Sequence, residues 1–136
     1  MSDSIFKVWG ERHRILLADS MEIDYLKLKA NTFCSQHTHS KKINVFYVLK
    51  GKVRIDSEFG NIILYKGQSF KIIPPLKHRF VALSSAEMIE IAYVTHGKIN
   101  PNDIQREKLG GKIIKKKYLS IPELRKEGYL KFNNEK

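Results

Sequence analysis

Short stretches of alternating apolar and polar residues dominate the chain between residues 22 and 95. Side chains on a strand alternate between the two faces of a sheet, so this two-residue period predicts β-strands, and no helical period competes with it. Gly and Pro separate the stretches, as at Lys50-Gly51 and Lys66-Gly67. The predicted strands are Ile23–Lys29, Ile43–Leu49, Lys52–Asp56, Asn61–Tyr65, Ser69–Ile73, Arg79–Leu83 and Glu87–Val94. Their length and spacing predict an all-β antiparallel sandwich or barrel.

The pattern changes after Gly97. We therefore expect a barrel over residues 1–97 and a basic C-terminal extension over residues 98–136, packed on the barrel or in a dimer interface. Ser120-Ile121-Pro122-Glu123 has the form of a capping box with Pro in the first turn. This predicts a short helix over Ile121–Glu127 that ends at Gly128. The basic run Lys112–Lys117 is interpreted as a solvated flank.

Both ends of the chain carry more apolar side chains than a free tail would expose to water. Because barrel sheets also have open edges, we expect a homodimer in which one or both ends contribute to the interface. The alternative is that the tail folds back onto its own barrel. The apolar residues concerned are Phe6, Trp9, Ile113, Ile114, Tyr118, Leu119, Leu124, Tyr129, Leu130 and Phe132.

The length of 136 residues and the 42% hydrophobic content fit one domain with a real core. No apolar run approaches the roughly 20 residues that span a bilayer, so we expect no membrane association. The N-terminus lacks a basic segment followed by an apolar one, and Cys34 is the single cysteine. Both features are typical of a cytoplasmic protein.

The formal net charge is +11 and is concentrated towards the C-terminus. Residues 98–136 hold 11 basic and 5 acidic side chains, against 14 and 9 in residues 1–97. A cationic surface attracts anions such as phosphorylated sugars, nucleotides or acidic lipids, although a solvated lysine-rich surface is the simpler interpretation. No nucleic-acid-binding motif accompanies the charge, so nucleic acid is not an expected partner.

Three histidines are spaced as ligands of a divalent metal. His37 and His39 are two residues apart and so share one face of a strand, while His78 follows a Pro-Pro pair. Imidazole is the commonest ligand for transition metals, and three such ligands leave a position for water or substrate. The alternative is three barrel histidines that are satisfied by hydrogen bonds.

The order of these residues resembles the two cupin motifs, usually written G-x5-HxH-x3/4-E-x6-G and G-x5-PxG-x2-H. Here the matching positions are Asn31, His37-Thr38-His39, Asn44, Gly51, Gly67, Ile73-Pro74-Pro75 and His78. The resemblance implies a double-stranded β-helix, or jelly-roll barrel, that binds one metal ion (Zn, Mn, Ni or Fe) inside. Carried over, the metal ligands are His37, His39, Asn44 and His78.

A narrower resemblance over residues 7 to 106 is to the cupin domain of type II mannose-6-phosphate isomerases. It rests on Lys7-Val8-Trp9-Gly10, Ser35-Gln36-His37-Thr38-His39, Tyr47-Val48-Leu49-Lys50-Gly51, Ile73-Pro74-Pro75-Leu76-Lys77-His78-Arg79-Phe80, Met88-Ile89-Glu90-Ile91 and Asn102-Asp103-Ile104-Gln105-Arg106. The family's EHW block is absent, and Asn44-Val45-Phe46 occupies its place. This resemblance implies sugar-phosphate chemistry.

Two residues that depart from the cupin pattern are Asn31 and Asn44, and the second of them bears on the metal. Asn31 replaces the first glycine, and Asn tolerates the positive φ that a turn there requires. Asn44 replaces the acidic ligand, and its neutral oxygen either coordinates the metal more weakly or holds a water or a histidine in place. Cys34, three residues before His37, is expected to be a small buried hydrophobe on the other face.

Four further residues are candidates for chemistry. Glu90 shares a strand face with Met88 and Ala92, which predicts an inward carboxylate that could act as general base. Phosphate contacts are predicted for Lys41, Lys42 and Arg79. Exposure to solvent is the alternative for each of these cations, and alternation turns Arg79 away from His78.

The leading interpretation is a small cupin enzyme that uses one divalent metal to isomerise or epimerise a small anionic carbohydrate such as a sugar phosphate. Two alternatives stay open. The chain is a non-catalytic ligand-binding cupin module, with Asn44 marking lost catalysis, or it is a metal-dependent dioxygenase with a three-histidine site.

Overall fold

The computed structural model describes residues 4–130, which form fourteen strands and one short helix. The first seven strands are β1 (Ser4–Lys7), β2 (Gly10–Leu17), β3 (Met21–Leu28), β4 (Thr32–Phe33), β5 (Gln36–Thr38), β6 (Ile43–Lys50) and β7 (Lys52–Ser57). The remaining elements are β8 (Gly60–Tyr65), β9 (Ser69–Ile72), β10 (His78–Ala82), β11 (Ala86–Tyr93), β12 (Gln105–Lys108), β13 (Gly111–Ile114), β14 (Lys117–Ser120) and α1 (Ile121–Lys126). The prediction of an all-β protein with a short C-terminal helix is confirmed.

The strands form two sheets in which every pairing is antiparallel. One sheet has the order β1-β2-β3-β11-β6-β9, and the other has β12-β5-β10-β4-β13-β14, with β7 and β8 attached beside β10. Sequence neighbours such as β3 and β4 lie in different sheets, so the chain crosses repeatedly between the two. This crossing encloses an interior between the sheets.

The enclosed interior is apolar at one end and polar at the other. Along β3 every second residue is buried, and the series runs from Glu22 and Asp24 to Leu26 and Leu28. On the neighbouring β11, Met88 is fully buried at the apolar end. The main hydrophobic core therefore fills only part of the barrel, and the rest contains charged side chains.

Tight turns fit the residues that occupy them. Asn31 adopts a φ of 60°, as its place in the first motif predicted. Gly51 has a φ of 84°, and a Cβ there would lie 2.4 Å from the carbonyl oxygen of Ser85. That distance is too short for any side chain, so the backbone of the β6–β7 turn requires glycine.

The described C-terminal segment adds strands to the second sheet. β12 pairs with β5, and β13 pairs with β4 and β14. The basic run Lys112–Lys117, interpreted above as a solvated flank, is the greater part of the β13–β14 hairpin, with positive φ at its turn residues Lys115 and Lys116. Leu119, Ile121, Leu124 and Leu130 join the main core.

Helix α1 begins after Ser120, whose backbone N–H donates to Glu123 Oε1 over 3.0 Å. It ends one residue before the predicted Glu127, and Gly128 follows with a φ of 85°. This six-residue helix is the only one in residues 4–130, and it is too short to cross a bilayer. Phe132, one of the predicted interface residues, lies outside the described range.

Candidate metal centre

A cavity of about 600 Å³ occupies the polar end of the barrel. Strands of both sheets, the segment that precedes β12 and helix α1 contribute to its wall. The metal-site candidates His37, His39 and Asn44 line this cavity, as do Glu90 and Lys42. The structure therefore brings most of the predicted site residues together in one enclosed space.

His37, His39 and His78 form a compact triad. His78 on β10 lies directly opposite His37 on β5, and His39 follows β5. The ring centroids are 4.5 Å apart for His37 and His78, 4.9 Å for His37 and His39, and 5.3 Å for His39 and His78. One nitrogen from each ring lies within 4.8 Å of the other two, which is close enough to share one ion.

Backbone carbonyls orient all three imidazoles in the same way. The Nδ1 atoms of His37, His39 and His78 lie 2.7, 2.6 and 2.9 Å from the carbonyl oxygens of Ser35, Asp103 and Leu76. A carbonyl can only accept, so each Nδ1 carries the proton and donates it. Each neutral ring is left with a lone pair on Nε2, which is the tautomer that a metal ligand needs.

Burial keeps these rings uncharged at neutral pH. Burial lowers the pKa of His78 to about 4 and lowers the pKa of His39. The pKa of His37 lies well below its usual value because of burial, followed by the charges that His78 and His39 would carry. Protons therefore compete weakly for the three nitrogens.

Buried polar atoms that make no hydrogen bond collect at this end of the barrel, and Glu22 Oε2 among them is held by an ion pair with Arg14. Among residues 4–130, the buried side-chain nitrogen and oxygen atoms that lack a hydrogen bond are Arg12 Nε, Glu22 Oε2, His39 Nε2, Asn44 Oδ1 and His78 Nε2. Buried polar groups in proteins almost always have partners, because leaving one unpaired costs roughly 1–3 kcal/mol. The two histidine nitrogens and the amide oxygen each have a lone pair that can coordinate a divalent metal, so these residues fit a bound metal ion.

Asn44 and Glu90 face each other across adjacent strands. Asn44 Nδ2 donates to Glu90 Oε2 over 2.7 Å, which leaves Asn44 Oδ1 for another partner. Burial, and to a smaller extent the charge of Asp24, raises the pKa of Glu90 to about 7 against the opposing effects of Lys42 and Arg12. Glu90 is inward, as its strand position predicted, and its pKa suits proton transfer near neutral pH.

An ion-pair network lies beside Glu90. Lys42 Nζ is 2.7 Å from Glu22 Oε1 and 3.0 Å from the carbonyl oxygen of Pro101. Arg14 pairs with Glu22 over 3.1 Å and with Asp24 over 2.7 Å. The two carboxylates are almost completely buried, and these cations offset the cost of their charge.

Two of the three cations predicted to contact phosphate do not line the cavity. Arg79 points to the outer face, where its Nε is 3.1 Å from Asp56 Oδ2 and its guanidinium lies over the rings of Phe33 and Tyr118. Lys41 is exposed. Lys42 does line the cavity, but its ammonium group already binds Glu22 and Pro101. The alternation of β10 explains the orientation of Arg79, because His78 points inward.

Asp103 connects the C-terminal segment to the triad. Its carbonyl holds His39, and its carboxylate accepts bonds from the backbone N–H groups of Ser40, Lys41 and Lys42 over 2.8, 2.9 and 3.2 Å. The Ser40 hydroxyl adds a fourth bond of 2.8 Å. Burial is the largest single effect and raises the pKa of Asp103, but the four hydrogen bonds together outweigh it and lower this pKa to about 2.

Trp9 and Cys34 also line the cavity. Trp9 packs edge to face on Phe80 with the ring centroids 5.1 Å apart, so it closes the barrel end and presents a surface to the cavity. Cys34 is buried as predicted, and burial raises the pKa of its thiol to about 12. Its cavity position differs from strict alternation because β4 ends at Phe33 and β5 begins at Gln36.

Several cavity residues were not among the predicted site residues. They are Lys7, Arg12, Glu22, Asp24, Arg106 and Arg125. A sequence signal existed for two pairs, since Arg12 and Arg14 on β2, and Glu22 and Asp24 on β3, repeat every second residue and so share a face. Arg106 and Arg125 come from segments distant in sequence, and no local pattern places them here.

The fold is shared with solved structures of low sequence identity. Oxalate decarboxylase from Bacillus subtilis superposes with a TM-score of 0.66 and 18% identity over 77% of this chain and 30% of that one. The chain thus spans less than a third of that protein, one structure of which concerns its Mn(II) centres. KdgF from Halomonas sp. gives a TM-score of 0.59 and 18% identity, covering 63% of this chain and 81% of that chain.

A variant of PAC13 from Streptomyces, solved with uridine, has a TM-score of 0.67 and 12% identity, with 79% and 85% of the two chains covered. No family model and no curated protein sequence matches the chain. The narrower resemblance to mannose-6-phosphate isomerases therefore stays a prediction. What the solved structures do show is the fold, and it is the predicted one: a cupin-type jelly-roll barrel.

Proposed function

We propose that this protein is a cupin enzyme that holds one divalent metal ion and isomerises or epimerises a small anionic carbohydrate. The observation that carries the proposal is the orientation of the triad. Three backbone carbonyls accept the Nδ1 protons, and two of the Nε2 atoms are buried without any partner. Hydrogen-bonded core histidines would have both ring nitrogens satisfied.

The proposed ligands are the Nε2 atoms of His37, His39 and His78, with Asn44 Oδ1 as an oxygen donor. A bound divalent ion polarises a carbonyl and stabilises the negative charge that develops when an adjacent proton leaves. Asn44 is neutral, so the site offsets less of the ion's charge than a carboxylate would. The predicted metals are Zn, Mn, Ni or Fe.

Glu90 is the proposed general base. Its pKa of about 7 leaves a large fraction ionised at neutral pH, and the protonated form can return the proton. The Asn44 amide holds Oε2 in place over 2.7 Å, so the second carboxylate oxygen remains for the substrate. In the proposed isomerisation Glu90 removes the proton from the carbon beside the substrate carbonyl and returns it to the carbonyl carbon, while the hydroxyl proton of the first carbon passes to the carbonyl oxygen. In epimerisation the first carbon regains a proton on its other face.

Two of the solved structures support a metal and a small anion by what their names state. Oxalate is a small dianion, and the decarboxylase that acts on it has Mn(II) centres. The excess of positive charge in this chain is compatible with an anionic substrate. A sugar phosphate is the substrate class that the sequence resemblance implies.

Metal content tests the first half of the proposal. Protein purified without chelator or histidine tag is examined by elemental analysis, and the apo protein is titrated calorimetrically with Zn, Mn, Ni and Fe(II). We expect one ion per chain, and loss of binding in His37→Ala with His39→Ala. His96→Ala is the matched control, because His96 is exposed and distant from the triad in sequence. Unchanged binding in the double variant would exclude this site.

Proton exchange tests the second half. Metal-loaded protein is incubated with mannose 6-phosphate in deuterated water, and exchange of the proton beside the carbonyl is followed by NMR. We expect exchange with the wild type and none with Glu90→Gln. If wild-type protein binds metal but exchanges no proton on any phosphorylated hexose or pentose, the isomerase proposal is wrong.

Asn44 keeps the non-catalytic module as a second candidate, since a neutral amide stands where cupins generally have a carboxylate. A protein that binds a sugar phosphate but catalyses no exchange would favour this candidate. The dioxygenase alternative requires redox-active metal. Iron recovered by elemental analysis, together with oxygen consumption, would favour it.

A homodimer in the cytoplasm remains part of the proposal. The structure redirects the choice of interface, because Leu119, Ile121 and Leu124 pack in the chain's own core. Exposed apolar residues instead lie on the first hairpin, namely Ile5, Phe6, Ile15, Leu16 and Leu17. β1 is also a sheet edge. Light scattering at micromolar concentration should give twice the monomer mass, and a monomer would contradict the proposal.

A further inference from the structure

The cavity wall contains three arginines that form no ion pair with another residue of the described range, 4–130. Of its three acidic residues, Glu22 and Asp24 pair with Lys42 and Arg14, whereas Glu90 forms no ion pair with residues 4–130. Arg12, Arg106 and Arg125 line the cavity and form no ion pair with any residue between 4 and 130. Arg12 is half-buried, whereas Arg106 and Arg125 are exposed. A cavity with one half-buried and two exposed arginines in its wall, none in an ion pair with residues 4–130, attracts anions.

Arg12 carries the clearest sign of a missing partner. Its Nε is buried and makes no hydrogen bond. Arg14, the next inward residue on β2, has its Nε on Asp24 over 2.7 Å, so the fold satisfies one arginine of this pair and leaves the other open to the cavity. A guanidinium has five N–H donors in a planar fork, and the fork matches the oxygens of a carboxylate or phosphate.

Arg106 is an exposed residue of β12, which belongs to the other sheet, and it also lines the cavity. It pairs with His37 in the register of β12 and β5, so a backbone neighbour of the triad carries this charge. Arg12, in turn, acts on the charge of Glu90. One unpaired cation is therefore near the metal ligands and the other is near the proposed base.

We propose that Arg12 and Arg106 bind the oxyanion group of the substrate, the role first predicted for Lys41, Lys42 and Arg79, with Arg125 contributing from helix α1. The inference rests on the proposed function for the location of the chemistry. It adds that recognition of the acid comes from β2 and β12, outside the two histidine motifs. A carboxylate and a phosphate ester both present charged oxygens to an arginine, and the experiment below distinguishes between the two.

Trp9 provides the readout, because it is the single tryptophan of the chain and lines the cavity. Metal-free protein at pH 7.5 and fixed ionic strength is titrated with inorganic phosphate and, separately, with malonate, while tryptophan fluorescence and calorimetry are recorded. We expect saturable binding of at least one anion. The tighter of the two identifies the class of acid. Working without metal keeps this result independent of metal binding and of catalysis.

Variants locate the binding group. Arg12→Ala and Arg106→Ala should each weaken the affinity for the anion by about tenfold or more, because each removes a charge-assisted hydrogen bond. Arg12→Lys should recover part of the loss, since it restores the charge without the fork. Lys41→Ala is the matched control, as it removes one positive charge from an exposed position outside the cavity, and it should bind like wild type.

Three outcomes overturn the inference: no saturable binding of either anion by wild-type protein, unchanged binding in both arginine variants, or an equal loss in Lys41→Ala. The last would mean that overall charge, and no particular group, attracts the anion. Circular dichroism shows whether each variant is folded. If Arg12→Ala does not fold, the single variants Arg106→Ala and Arg12→Lys still test the inference. Metal affinity measured on the same variants shows separately whether the triad is intact.

Discussion

Replacement of Glu90 by glutamine should stabilise the metal-free protein, and more so as the pH rises. Burial raises the pKa of this carboxyl from 4.5 to about 7, so the folded state holds its proton more tightly than the unfolded state does. Folding stability from this group is therefore fully present below pH 4.5 and is lost as the pH rises through about 7. Glutamine never ionises and retains an oxygen for the Asn44 amide, which now donates to Oε2 over 2.7 Å.

The size of the effect follows from the pKa difference. Ionising Glu90 in the fold costs about 3 kcal/mol relative to the unfolded chain at pH 8, and less than about 1 kcal/mol at pH 5. Glu90→Gln should therefore gain roughly 2 to 3 kcal/mol of unfolding free energy relative to wild type between pH 5 and pH 8. The three histidines shift stability in the opposite sense below pH 6.5, but they are the same in both proteins and cancel in the comparison.

Urea denaturation of EDTA-treated protein at the two pH values measures this difference. Glu87→Gln is the matched control, because Glu87 lies on the same strand with its side chain on the opposite face. If Glu90→Gln is destabilised equally at both pH values, the carboxyl is ionised without cost in the fold and cannot have the raised pKa on which its role as base depends. A gain in stability with loss of proton exchange would support a functional carboxyl that is costly to keep.

Two further predictions concern the metal ligands. Asn44→Glu should tighten metal binding in a calorimetric titration, because a carboxylate adds a charged oxygen ligand. Asn44→Gln is the control and should not tighten it. Unchanged affinity in folded Asn44→Glu would mean that residue 44 does not face the ion. Asp103→Ala should weaken metal binding, since its carboxylate accepts four hydrogen bonds that fix Ser40–Lys42. It should also cost about 1–2 kcal/mol of stability at pH 7, a value reduced for the solvent that screens these bonds. This contribution to stability is present above pH 3.8 and is lost as the pH falls through about 2. The unfolding free energies of Asp103→Ala and wild type should therefore converge in acid. Asp19→Ala is the control, because Asp19 is exposed.

The sequence predicted the strands whose inward face is apolar. β6, β7 and β10 have buried Val, Ile and Phe at alternate positions, and each lies within about two residues of its predicted range. The hairpin of β1 and β2 was not predicted, because the inward positions of β2 include Arg12 and Arg14. A strand that faces a polar cavity lacks the apolar alternation by which strands are recognised.

The site divides in the same way. His37, His39, His78, Asn44 and Glu90 were identified because two lie at i and i+2 and the others match motif or face positions. Asp103 reaches His39, and Arg106 reaches the cavity, because β12 pairs with β5, more than sixty residues earlier in the chain. Pairing between distant strands depends on the whole barrel, so local patterns give no information about it. The same limit explains why Lys41 appeared suitable for a phosphate when it faces solvent.

The position of the carboxylate distinguishes this cavity from the motif that it resembles. The motif has an acidic residue at position 44, whereas here the acid is Glu90 on the adjacent strand, joined to Asn44 by a 2.7 Å hydrogen bond. A carboxylate that ligates a metal is held ionised and cannot exchange protons near neutral pH. A neutral amide at position 44 leaves the ion more of its charge and leaves Glu90 a carboxyl that can gain or lose a proton. Asn44→Glu should consequently improve metal binding while impairing proton transfer, because a second carboxylate at hydrogen-bonding distance would raise the pKa of Glu90 further.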